Sequence, residues 1–510
     1  MKKALLLLLI SFIGKSQSIA PFATVRTENG LIAGSIDNEV HVFKGIPFAA
    51  PPIGELRWKA PQPVVNWKGV RKCETFSASA MQAKPAPFMM YTAEFLAPPE
   101  PLSEDCLYLN VWSAAKSPAE KRPVMVWIHG GAFTSGSGSV PLYNGEELAK
   151  KGVIFVTINY RLGVFGFLAH PDLSKESNGH GSGNYAFLDQ IAALQWVKKN
   201  IAAFGGDPAN VTLAGQSAGA FSVNVLMASP LAKGLFHKVI AESGGMFGLS
   251  GRVKTLADAE QTGVAFAQKL QATSVAELRA KSADDIMKSA AGISSPVMDG
   301  YVMPNEIYTT FANNKQNDVP VLTGSNSGDR FGSAKPLSAS EFKADIEKKY
   351  SNFASDLLKV YPAGTDEEAK ESQAALGGHQ LFAWQNYTWA KLQATHGKNK
   401  AYLYYFTHVP LQHPNKPDYG AFHSAEFGYA LHTLKHWDRP FTETDRTLED
   451  QMSSYWVNFA KTGNPNGKNL PEWKPFNTQT YQTMIFGDKP QPETLPSKAQ
   501  MEFWDKYLGK

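Results

Sequence analysis

Cysteine is nearly absent. The 510 residues contain two, Cys73 and Cys106, too few for a four-ligand zinc site or for a scaffold stapled by several disulfides. An excess of charge of one sign is also missing: 50 Lys plus Arg stand against 46 Asp plus Glu, a formal charge of +4. Such a chain has no electrostatic case for nucleic acid as a partner. No apolar stretch reaches the roughly 20 residues that a bilayer-crossing helix needs, so no membrane span is expected. Internal repeats and low-complexity tracts are lacking too. With 43% hydrophobic and 19% charged residues, the composition is that of a globular chain and not of a disordered one.

What is present starts at the N-terminus. Residues 1–20 combine Lys2 and Lys3, an apolar run over residues 4–13 and small residues beyond, which reads as a secretory leader and not as a span. Cleavage falls after Ser18, Ala20 or Ala23, and the absence of cysteine there excludes a lipid anchor. The mature protein is expected to be exported, periplasmic or secreted. In an oxidising compartment Cys73 and Cys106 would pair, the alternative being two buried free thiols.

Residues 21–510 read as one large domain. Runs rich in β-branched residues at 124–128, 153–159, 211–214 and 239–241 have the character of buried strands. Between them, residues 185–204 carry apolar side chains at helical spacing and stop at Gly205-Gly206-Asp207-Pro208. Strand–helix alternation predicts a mostly parallel sheet with helices on both faces. Residues 319–323 and 402–406 read as further strands, and residues 255–291 and 341–389 as helical cap insertions.

The sharpest local pattern is Gly215-Gln216-Ser217-Ala218-Gly219, placed between the strand at 211–214 and an apolar helix at 221–228. This is a G-x-S-x-G elbow in the context it requires, a turn so tight that it thrusts the Ser217 hydroxyl above the sheet. The helix beyond aims its first N–H groups at the point where negative charge would develop. His129-Gly130-Gly131-Ala132 follows the strand at 124–128, the place for a loop of oxyanion donors, and the assigned donors are the N–H groups of Gly131, Ala132 and Ala218. A base must follow. His423, in a short turn-like stretch beyond residues 402–406, is preferred over His408, His413 and His432, which sequence logic alone leaves open. An acid is expected between nucleophile and base: Asp329 fits, with Glu242 as its rival.

These blocks together resemble the type-B carboxylesterases, a family that includes carboxylesterases, cholinesterases and bacterial para-nitrobenzyl-esterase-like enzymes. Phe43-Lys44-Gly45-Ile46-Pro47, Ser103-Glu104-Asp105-Cys106-Leu107, Asn159-Tyr160-Arg161-Leu162-Gly163 and the Gly-Gln-Ser-Ala-Gly elbow carry the likeness over nearly the whole mature chain. The resemblance implies an α/β-hydrolase fold, a triad of Ser217, Asp329 and His423, a Cys73–Cys106 disulfide, and no cofactor or metal. Arg57 with Glu104 and Arg161 with Asp189 would be structural ion pairs. One position departs from the pattern: Asp329 stands where the family usually has Glu, and a shorter acid must reach His423 from a shifted backbone. Cholinesterases hold a quaternary ammonium on a Trp inside the disulfide loop. Residues 74–105 contain no Trp but offer Phe88, Met89, Met90 and Tyr91, an apolar and adaptable pocket.

The expectation is an exported serine esterase acting on a small-molecule ester, aryl or short-chain alkyl, through an acyl-enzyme. A feruloyl or acetyl esterase working on plant-polymer esters is the alternative within the enzyme class, with Trp384, Tyr387 and Trp389 available to a sugar. An adhesion-type binding module, as in members that have lost the serine, is the non-enzyme alternative.

Overall fold

A computed structural model describes residues 24–248, 253–290, 292–330, 335–412 and 417–510; the leader at residues 1–20 and His413 lie outside them. Eleven strands form the central sheet, here β1 (Ser35–Asp37), β2 (Val40–Pro47), β3 (Tyr108–Ser113), β4 (Arg122–Ile128), β5 (Ile154–Ile158), β6 (Gly206–Gln216), β7 (Lys238–Glu242), β8 (Val321–Asn326), β9 (Ala401–Phe406), β10 (Gln482–Phe486) and β11 (Pro490–Thr494). Their spatial order is β11-β10-β9-β8-β7-β6-β4-β5-β3-β2-β1. From β10 across to β5 every pairing is parallel. Antiparallel strands close both edges, β1 to β3 on one side and β11 on the other. This is the α/β-hydrolase architecture.

The parallel centre is buried because both faces are covered. Along β4, Val124, Val126 and Ile128 feed the core on one face, while Met125 and Trp127 feed the core on the other, the period of two that a pleated strand imposes. Helix α1 (Tyr185–Asn200) continues into a 3-10 turn, Ile201–Phe204, that ends on Gly205 in the left-handed region. Helix α2 (Ala218–Ala228) is buried along almost its whole length. The insertion after β7 folds into short helices, Leu256–Lys269, Val275–Ala280 and Ala283–Ser289. The one after β8 contains α3 (Asp366–Gly378), a π-turn (His379–Ala383) and α4 (Trp384–His396).

The expected disulfide is not there. Cys73 and Cys106 are free thiols, both buried. Burial pushes the Cys73 thiol up to about 11 and that of Cys106 higher still, so each packs as a small, protonated apolar group. The two ion pairs take their expected places: Arg161 meets Asp189 at 2.7 Å and Arg57 meets Glu104 at 2.5 Å.

Candidate active site

Strand β6 ends at Gln216 and α2 begins at Ala218, which leaves one residue, Ser217, to turn the chain. It does so at φ 55°, ψ −120°, backbone strain of the kind that persists where surrounding structure enforces it. The turn packs hard on the end of β4: a Cβ on Gly219 would lie 2.0 Å from the Ile128 carbonyl oxygen, and one on Gly215 would lie 2.6 Å from the Gly219 backbone. Glycine at both positions is therefore a steric requirement of the elbow.

Two loops at the same sheet edge bring up the partners. Asp329 follows β8, and His423 follows β9. The Gly328 N–H donates to the Ala421 carbonyl at 3.0 Å, and Gly328 and Phe422 form a parallel bridge. This stitching carries the short acid to the imidazole. His423 Nδ1 lies 2.6 Å from Asp329 Oδ1, and His423 Nε2 lies 2.9 Å from Ser217 Oγ. The carboxylate accepts the Nδ1–H, and Nε2 accepts from the serine. The second oxygen, Asp329 Oδ2, accepts from Ser243 Oγ at 2.7 Å and from the Asn326 N–H at 2.9 Å.

Gly131 (φ 106°) and Ala132 (φ 55°) curl through the left-handed region and wall the same cavity as Ser217. Their loop is braced at both ends. His129 stacks on Tyr160 with centroids 4.4 Å apart, and burial lowers its basicity to about 4, so it is a neutral structural ring. Gln82 exchanges two hydrogen bonds, each of 2.9 Å, with the Gly136 backbone. Ala218, as the first residue of α2, places the third assigned N–H directly after Ser217.

The rivals among the described residues are accounted for. Glu242 is fully buried and accepts from Trp456 Nε1 at 2.7 Å; burial pushes its carboxyl up, and it lies on neither ring nitrogen of His423. His408 is clasped by Asp445 and Asp488 at 2.9 and 2.8 Å, and His432 meets Ser453.

A cavity of about 560 Å³ opens over Ser217, walled by Phe88, Tyr91, Phe95, Phe221, Phe382 and Phe427 among others. Two of the four expected pocket residues are not in its wall. Phe88 and Tyr91 exchange backbone hydrogen bonds of 3.1 and 2.9 Å, and the tight turn between them sends Met89 out to 65% exposure. Met90 packs instead against the core beneath. Sequence reasoning also missed Ser243, Phe382 and the Tyr91 hydroxyl, which donates to the His423 carbonyl at 3.2 Å; no local motif marks any of them. No group of side chains suited to a metal ion occurs among the described residues, nor does a helix long and apolar enough to cross a membrane.

An elbow serine at the edge of a mostly parallel sheet, in line with a histidine and an acid, is set here in an α/β-hydrolase fold. The chain belongs to the carboxylesterase family, whose model matches residues 21–504, and it is a carboxylic ester hydrolase. It is 35% identical to the para-nitrobenzyl esterase of Bacillus subtilis over 94% of this chain and 97% of that protein. It is 34% identical to the fumonisin B1 esterase of Sphingopyxis macrogoltabida over 93% of this chain and 88% of that protein. Human cocaine esterase is 34% identical, covering 99% of this chain and 94% of its own length. A solved structure of PNB esterase superposes with a TM-score of 0.82 at 33% identity, covering 94% of this chain and 99% of that one.

Proposed function

We propose that the protein is an exported serine esterase that hydrolyses uncharged aryl or short-chain alkyl esters through an acyl-enzyme. The observation that carries this reading is the relay of 2.9 and 2.6 Å from Ser217 through His423 to Asp329 at the floor of an aromatic cavity. His423 Nε2 takes the Ser217 proton as the oxygen attacks the ester carbonyl. The tetrahedral oxyanion is held by the N–H groups of Gly131, Ala132 and Ala218, and the protonated imidazole then delivers its proton to the departing alcohol. Water repeats the sequence on the acyl-enzyme and releases the acid. Export rests on residues 1–20, and N-terminal sequencing of protein recovered from the culture medium or periplasm tests it.

The plant-polymer alternative loses its aromatic argument, because Trp384, Tyr387 and Trp389 are buried and offer a sugar no face. A fluorophosphonate that labels Ser217, and para-nitrophenyl esters of increasing acyl length assayed beside methyl ferulate, test the substrate class. Turnover of ferulate well above that of the acetate and butyrate esters would overturn it.

A further inference from the structure

The π-turn His379–Ala383, set between α3 and α4, makes a rare wide turn of a kind frequently found at functional sites. Here it lies against the relay at several points. Phe382, on the turn, is 2% exposed and stacks on the His423 imidazole, centroids 4.5 Å apart at 26°. The same ring lies parallel to Phe221 of the elbow helix, at 6.1 Å and 6°. One residue before the turn, Gly378 packs on the Asp329 carbonyl so closely that a Cβ would lie 1.6 Å from it. Three residues after it, Asn386 holds both the N–H and the carbonyl of Gly244, beside the Ser243 that donates to Asp329. One helical rod thus touches the acid's backbone, the base's ring, the nucleophile's helix and the neighbour of the acid's second partner.

We propose that Phe382 is a positioning residue for His423, a role that rests on the reading of His423 as general base. Its ring fixes the plane of the imidazole between Ser217 Oγ and Asp329, and its π-face opposes the cation that forms when Nε2 takes the serine proton. Set toward His423 as well are the Asp329 carboxylate, the Gln216 side-chain nitrogen at 3.4 Å from Nε2, the buried Glu426 carboxyl and the Tyr91 hydroxyl on its carbonyl. An aliphatic side chain of similar volume would fill the space but supply neither the plane nor the face.

The test uses Phe382→Leu, Phe382→Met and Phe382→Tyr beside the wild type, with complete fluorophosphonate labelling to count folded sites. The kcat and KM values are then measured on para-nitrophenyl acetate, butyrate and hexanoate. For Leu and Met, kcat is expected to fall about tenfold on all three esters alike with KM within about threefold, and Tyr is expected to restore most of the loss. Wild-type kcat in both aliphatic variants overturns the role, as does a loss that grows with acyl length and falls on KM, which would make Phe382 only a wall. A wild-type enzyme that neither labels nor turns over any ester would bring down the esterase reading itself, and the two failures are told apart by that control.

Discussion

Changing any member of the relay has a distinct expected cost. Ser217→Ala and His423→Ala each remove one half of the nucleophile–base unit, so only oxyanion and binding contributions remain, and kcat should fall by at least about 10³-fold. A variant keeping a tenth of wild-type activity would sink the assignment. Asp329 presents two acceptor oxygens to three donors: the imidazole N–H, the Ser243 hydroxyl and the Asn326 N–H. An amide has one acceptor, so Asp329→Asn sets an N–H₂ against a donor or favours the wrong imidazole tautomer, and kcat should fall by about 10³-fold or more. Glu242→Gln should stay near wild type, because burial already holds that carboxyl protonated and Gln resembles the neutral acid in shape; assaying the pair side by side decides which acid serves His423. Ser217 was legible as a motif and Asp329 as a strand-end acid. His423 was not separable from His408 or His432 by spacing alone, since what distinguishes it is the Gly328–Phe422 bridge, a contact across 94 residues of sequence.

Elements hold these residues through contacts that substitution can reverse in sign. Gly→Ala inside a helix ordinarily stabilises by about 1 kcal/mol, yet at Gly378 the added Cβ would meet the Asp329 carbonyl at 1.6 Å. Gly378→Ala should therefore lower Tm and cut kcat together; a raised Tm with full activity would show that α3 does not press on the acid loop. A second joint lies where β9 meets Glu443–Thr462, the long helix beyond it, whose capping carboxylate Asp445 accepts from His408, Tyr429 and Thr442. Burial alone would lower the His408 basicity, but the bonds to Asp445 and Asp488 outweigh it and raise it. A raised value in the folded state means that stability is fully present below the ordinary histidine range and is lost as pH rises through the higher folded value. The Tm advantage of wild type over His408→Gln should thus be largest near about pH 6 and shrink toward about pH 9, as thermal melts across that range would show. Asp445 has the opposite sense: its lowered carboxyl stabilises above the ordinary carboxylate range, and that contribution goes in acid. The parallel strands β4 to β9 were legible because burial on both faces makes them continuous apolar runs, whereas the parallel strand β10 was not read from the sequence. Strand β11 was not, for it carries Pro490 and Pro492 and its residues are mostly exposed, which only an edge permits. The π-turn was invisible too, since His-Gln-Leu-Phe-Ala reads as uninterrupted helix.

At the scale of the whole molecule, the cavity exists only because segments far apart in sequence converge above the sheet: residues 82–97, the loop at 130–143, the elbow, the π-turn and the stretch from His423 to Phe427. Its apolar character was legible from Phe88 and Tyr91, but most of its wall was not, because Phe221, Phe382 and Phe427 look like core residues until the fold turns them inward. Among the described residues the assembled wall contains no Trp, Asp or Glu, and its one charged side chain is Lys84, paired with Glu100 at 3.0 Å on the exposed rim. A choline ester brings a fixed cation whose lost hydration must be offset by an aromatic face or an acid. Phe and Tyr are weaker partners than Trp for that purpose. A para-nitrophenyl or short alkyl ester needs only apolar contact, which the phenylalanines supply on every side. The kcat/KM for para-nitrophenyl acetate or butyrate should therefore exceed that for acetylthiocholine by at least about 10²-fold, about 2.7 kcal/mol in differential transition-state binding. Trp384 and Trp389 cannot rescue the cation, being fully buried in the core, so comparable values for the two substrates would mean that the rings of this cavity hold a quaternary ammonium unaided, and the apolar-ester reading of the site would fall.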